Sequence, residues 1–105
     1  MLIAFSVAPS GNGSASAENP DGSVHDADAA AVAVVRASGL PHRTSSMFTE
    51  IEGEWAEVME VVRQAVEAVG AYGPRVSLVL KADIRPGHTG EIDGKLERIE
   101  AALDS

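Results

Sequence analysis

The spacing of apolar and polar residues changes several times along the chain, and each change predicts an element. Residues 2–8, LIAFSVA, are apolar on both faces apart from Ser6 and predict a strand that Pro9 ends. Residues 10–22, SGNGSASAENPDG, offer nothing to bury and predict a flexible loop. Ser23 and Asp26 stand at capping-box spacing. The helix they open, about 24–38, places Val24, Ala27, Ala31, Val34 and Val35 on one side, and Gly39 and Pro41 stop it. Two short extended pieces, about 42–46 and 48–52, predict a hairpin around Ser45, Ser46 and Met47.

In TEIEGEWAEVMEVV, residues 49–62, strand alternation gives way to helical spacing at Gly53. Trp55, Val58, Met59, Val62, Val66 and Val69 then form one stripe of a helix over about 54–71. Gly70, Gly73 and Pro74 close it. RVSLVLKAD, residues 75–83, is the strongest strand, and RPGHTG, residues 85–90, a turn. A last helix over about 91–103 aligns Ile92, Leu96, Ile99 and Leu103, although Gly94 weakens it by ~1 kcal/mol relative to alanine.

Strand, helix, strand, strand, helix, strand is the split βαβ order of an α+β, ferredoxin-like sandwich (βαββαβ), here with an extra C-terminal helix. The expectation is a single domain over residues 1–105. Its sheet carries an unusual feature. Strands one and four are apolar on both faces, with Leu2 and Ala4 behind Ile3, Phe5 and Val7, and Val79 behind Val76, Leu78 and Leu80. An antiparallel sheet covered on one side alternates apolar with polar. The second face therefore predicts a further cover, which the extra helix supplies only in part. A homodimer packed sheet to sheet, or a homotetramer built from it, completes the cover.

Composition narrows the partners. The formal net charge of −8 at pH 7 argues against nucleic acid, which takes Lys and Arg to displace counterions from phosphates. The charge is compatible with a cationic small ligand. With no cysteine, disulfides, thiolate nucleophiles and Cys-ligated zinc are excluded. MLIAFSVAP lacks a basic leader, and no run approaches the ~20 residues of a membrane span, so the expectation is a soluble, cytoplasmic protein.

The candidate chemistry is sparse. Glu50, Glu52 and Glu54 form an acidic run in which Glu52, at the end of a central strand, is best placed to meet a ligand. Asp26 and Asp28 read as residues of a helix start, favoured by the dipole, and with His25 they lack metal-site spacing. His42 and His88 lie in turns without obvious partners, and SGNGSAS lacks the ending of a phosphate-binding loop. Ser6 and Thr49 are candidate pocket hydroxyls. Lys81 and Asp83 become a polar island if their face is covered. Trp55 reads as a core anchor where the second helix begins, holding Thr49 and Glu52 in position.

Several motifs together, FSV-x-P at 5–9, M-x-T-x-I-E-G-E-W at 47–55 with the following V-M-E-V-V, and K-x-D at 81–83, resemble the small thiamine-binding protein family. The resemblance runs from residue 1 to about 103 apart from the loop. It implies a ferredoxin-like fold, dimers associating into tetramers, and binding of thiamine or its aminopyrimidine without catalysis, with thiamine as ligand and no cofactor. It carries over Ser6, Met47, Thr49, Glu52 and Lys81 as ligand-binding residues. The chain departs from the family pattern at Phe48, where glycine is expected, and in a longer 10–22 loop. Two other readings stand beside it: an enzyme using Glu52 or His25 as base, and a structural or regulatory oligomer without a ligand.

Overall fold

The computed structural model describes residues 1–11 and 24–104, with Val24 and His25 described by their place in a helix alone. The expectations for most of the 10–22 loop, for the Ser23 cap and for the His25 side chain lie outside the described residues. The elements are β1 (Leu2–Ser10), α1 (Val24–Ala37), β2 (His42–Thr44), β3 (Thr49–Glu52), α2 (Trp55–Val69), a 3₁₀ turn (Gly70–Tyr72), β4 (Arg75–Asp83) and α3 (Glu91–Leu103). The four strands make one antiparallel sheet in the order β2-β3-β1-β4. This is the α+β, ferredoxin-like arrangement with an added C-terminal helix.

Register decides which side chains face the helices. Ile3 lies opposite both Ile51 and Ala82, and Phe5 opposite both Thr49 and Leu80. Opposed residues share a face, so β1 turns Ile3, Phe5 and Val7 toward α1 and α2, where all three are buried. Ala27, Ala31 and Val35 of α1 and Val58, Val61, Val62, Ala65 and Val69 of α2 complete that core. The reverse face carries Leu2, Ala4, Ser6, Glu50, Glu52, Val79, Lys81 and Asp83.

The end of β1 differs from the sequence expectation. β1 continues through Pro9 to Ser10. Its pairing with β3 stops at Phe5, so from Ser6 onward one flank has no partner strand, and an unpaired flank accommodates a residue with no N–H. Gly39 has φ +74, the left-handed conformation expected of a residue ending α1. Gly73 has a different constraint: a Cβ there would lie 2.5 Å from the Ser10 carbonyl oxygen, so the end of β1 and the chain entering β4 approach only with glycine.

The α2 stripe also runs differently. Its buried line is Val58, Val61, Val62, Ala65 and Val69, which leaves Met59 on the flank and Val66 half-buried. Trp55 is not a core anchor; it is 58% exposed. Entry into α2 is set by a reciprocal capping box, in which the Glu54 N–H donates to Glu57 Oε1 at 3.1 Å. Acidic side chains do the positioning that the tryptophan was expected to do.

Truncations at these two positions are expected to differ sharply. Ile51→Ala empties a fully enclosed site and should cost about 2–5 kcal/mol, whereas Trp55→Ala should cost no more than about 1 kcal/mol. Urea unfolding of both variants checks this; equal losses would contradict the exposed placement of Trp55.

Candidate functional site

The helix α3 starts beside the end of β3, and the buried Glu52 carboxylate fixes it there. Glu52 is 5% exposed at the end of β3. Both of its oxygens accept from the backbone N–H of Glu91, at 2.9 and 3.0 Å, and Oε1 lies 3.4 Å from the Ile92 nitrogen. These are first-turn amides, which α3 itself cannot satisfy. An anion at the positive end of the helix dipole is favoured as well. Glu52 is therefore the side-chain cap of α3, supplied from another element, because Gly90 at the N-cap position has no side chain to offer.

Ion pairs then tie the helix to the sheet: Arg43 of β2 bonds Asp93 at 2.5 Å, and Lys95 bonds Asp83 of β4. A further pair, Arg98 with Glu91 at 2.6 Å, lies within α3 and braces its first turns. Arg98 holds the Glu91 carboxyl below its usual range, with smaller through-space help from Arg85 and His88. Lys95 does the same for Asp83. Only Ile92 of the expected apolar line is buried. Leu96, Ile99 and Leu103 are exposed, because α3 meets the body mainly along β3 and its later turns extend past that contact.

Two cavities flank this arrangement. The first follows from the strand mismatch already noted: β3 begins at Thr49, opposite Phe5, while β1 runs on. The unpaired flank of β1, α1 and the 45–48 loop enclose about 100 Å³. Ser6, Met47, Phe48 and Thr49 line it, with Thr44, Ser45 and Ser46. The loop is closed by the Ser45 N–H donating to the Phe48 carbonyl at 2.9 Å, and by the Ser45 hydroxyl donating to the same oxygen at 3.0 Å. Asp28 of α1 completes the wall, one helical turn before Ala31 and Val32. Its carboxylate is exposed and makes no hydrogen bond or ion pair among the described residues.

The second cavity, about 480 Å³, lies at the opposite end of β3, between Pro41, Glu54, Trp55 and the 84–90 turn, with Glu52 in its wall. The structure thus separates the sequence candidates. Ser6, Met47 and Thr49 converge on the first cavity. Glu52 borders the second with its oxygens engaged by α3. Lys81, opposite Ala4, stands exposed on the open face and lines neither. Asp28 was read as a helix-start residue; the available signal was its i, i+3, i+4 relation to Ala31 and Val32. Among the described residues no group of three or more His, Asp and Glu side chains is placed to hold a metal ion. Nor is any helix there long and apolar enough to cross a membrane.

Comparison with other proteins gives this geometry a lineage. The family model of thiamine-binding proteins matches residues 3–100. UPF0045 proteins of Mycobacterium bovis and Mycobacterium tuberculosis are each 49% identical over 104 residues, 98% of this chain and 94% of theirs. A domain of unknown function, DUF77, from Bacillus cereus superposes with TM-score 0.76 at 28% identity, covering 92% of this chain and 86% of that one. A Thermotoga maritima structure, provisionally described as a thiamine biosynthesis/salvage protein, gives TM-score 0.71 at 22% identity over 92% and 97% of the two chains. It shares the fold. The chain belongs to the thiamine-binding protein family.

The cap and its ion pairs make α3 separable from the rest. Glu52→Ala leaves first-turn amides without acceptors, at a cost of about 1–3 kcal/mol. Hydrogen exchange should show α3 amides losing protection while β1 and β4 keep theirs; unchanged α3 protection would contradict the cap. Acid should act on the same contact. Glu91 and Asp83 have lowered folded-state values, so their contribution is complete above the ordinary values of 4.5 and 3.8 and fades as pH falls through the lowered ones. Protection of the α3 amides, measured against the intrinsic exchange rate at each pH, should therefore fall on acidification below about pH 4.5, and less so in Arg98→Gln, which has already lost one pair.

Proposed function

We propose that this protein binds thiamine through its aminopyrimidine ring, without transforming it, in the cavity formed by Asp28, Thr49 and the 45–48 loop. Membership of the thiamine-binding family supports the ligand class. The observation that carries the reading is convergence: Ser6, Met47 and Thr49, from two strands and a loop, meet at one cavity beside the Asp28 carboxylate, which has no partner among the described residues. An aminopyrimidine presents an exocyclic amine and two ring nitrogens on its edge. Asp28 would accept from the amine, and the Thr44 and Thr49 hydroxyls would donate to ring nitrogens. Met47 and Phe48 offer apolar surface to the ring face.

Size sets the pose. A cavity of about 150 Å³ holds a benzene ring, so about 100 Å³ takes the edge of one ring and leaves the rest of the vitamin outside. Met47, 76% exposed at the mouth, gives the side of the cavity room to adapt. The cationic thiazolium would then lie at the surface of a protein with net charge −8, where its charge is favoured. The role is carriage, buffering or sensing in the cytoplasm.

The working unit in this reading is a homodimer or homotetramer. Val79 on the open face and Leu96, Ile99 and Leu103 on α3 are exposed apolar side chains, and covering each would contribute about 1.5–3 kcal/mol. A second copy supplies that cover.

Titration calorimetry with thiamine should give a saturable heat in the wild type and at least a tenfold weaker affinity, about 1.4 kcal/mol, in Asp28→Asn. Glu52→Gln should bind within about threefold of wild type, and the vitamin should be recovered unchanged after incubation. Absence of heat at millimolar thiamine would refute the ligand, and an unaffected Asp28→Asn would refute the site. Sedimentation should find dimers or tetramers at micromolar concentration; a monomer would refute the assembly.

A further inference from the structure

The cavity beside Trp55 is not used by this reading, and its chemistry differs from that of the first. Its volume, about 480 Å³, falls within the range of about 300–1,000 Å³ typical of small-molecule sites. Trp55, the chain's single tryptophan, is 58% exposed in its wall, and Ile84, 57% exposed, lines it too. Pro41 and Pro86 extend the apolar surface. An indole and two proline rings offer flat surfaces that stack on a planar ligand at little conformational cost.

The polar rim selects the ligand's charge. Both carboxylates in the wall are directed to backbone amides: Glu52 to the first turn of α3, Glu54 to the capping box of α2. The basic groups are not so engaged. Arg85 and His88 line the cavity, and neither side chain makes a hydrogen bond or ion pair among the described residues. The carboxylates near them have closer partners, Arg98 for Glu91 and Lys95 for Asp83. The turn brings the two bases to one rim, closed by the His88 N–H donating to the Arg85 carbonyl at 3.1 Å. The charged donor left free at this cavity is therefore the Arg85 guanidinium, with the His88 imidazole beside it, although the protein as a whole is acidic. The charge of the wider surface is damped over about 8 Å at physiological salt, so the local pair governs a bound anion.

We infer that the Trp55 cavity is a second ligand site, for a planar ring bearing an anionic substituent, with Trp55 against the ring and Arg85 and His88 on the anion. The inference does not depend on thiamine occupying the first cavity. Trp55 provides its own signal, since no other tryptophan contributes to the emission.

Phenyl phosphate is the probe, with phenol and inorganic phosphate as its two halves. Phenyl phosphate should change Trp55 emission saturably, and each half should bind at least tenfold more weakly. Arg85→Gln should weaken phenyl phosphate about tenfold, while Asp28→Asn should leave it unchanged. Arg85 is exposed, so its substitution should keep the wild-type melting temperature. Four results would overturn the inference: no saturable change at millimolar phenyl phosphate, phenol binding as well as phenyl phosphate, an Arg85→Gln protein that binds like wild type, or displacement of the probe by thiamine, which would make the cavity part of the vitamin site.

Discussion

The Glu52 carboxylate is the contact on which most of this structure's functional anatomy turns. It ends a central strand, lies buried on the face away from α1 and α2, and binds the amide nitrogens that open α3. One side chain thereby fixes the start of the last helix at the end of β3. It also fixes the 84–90 turn, whose end is the start of that helix, and so shapes the cavity beside Trp55. A buried carboxylate without partners would be costly; here its partners are amides that equally need an acceptor. The arrangement satisfies both at once, which is why an acidic residue is stable at this depth.

That use of Glu52 reassigns the acidic chemistry of the molecule. Glu54 and Glu57 are spent on the start of α2, and Glu60 and Glu67 on Arg63, whose guanidinium lowers the Glu60 carboxyl to about 2. Asp83 and Asp93 tie α3 to the strands, and Glu91 pairs with Arg98 inside it. Among the carboxylates that line the two cavities, Asp28 is the one whose oxygens no amide or cation engages among the described residues. A cavity lined by the Asp28 carboxylate and hydroxyls differs in kind from one rimmed by Arg85 and His88. The two ends of β3 thus present opposite chemistries only a short strand apart.

Much of the architecture was legible from periodicity. The βαββαβ order, the bounds of β4 and α3 and the αL residue at Gly39 all follow from local spacing and turn residues, and the structure agrees. The two-sided apolar character of β1 and β4 was equally visible. What escaped local reading depends on long-range register. Pro9 looked like a terminator because nothing in the sequence says that β3 pairs no further than Phe5. Trp55 looked like core because it begins an apolar stripe, whereas the buried line is set by which turn of α2 lies over the sheet. In the proposed reading Asp28 and Glu52 exchange roles for the same reason. Helix-start chemistry explained Asp28 well enough locally, and the partner of Glu52 lies 39 residues away.

The central claim is that the vitamin's aminopyrimidine enters between α1 and the 45–48 loop, while Glu52 stays with α3. A crystal structure of the protein with thiamine soaked in tests it most directly. The account predicts the exocyclic amine within hydrogen-bonding distance of the Asp28 carboxylate, with Glu52 still capping Glu91 and Ile92. A pyrimidine ring bonded to Glu52, with α3 displaced from it, would contradict the account.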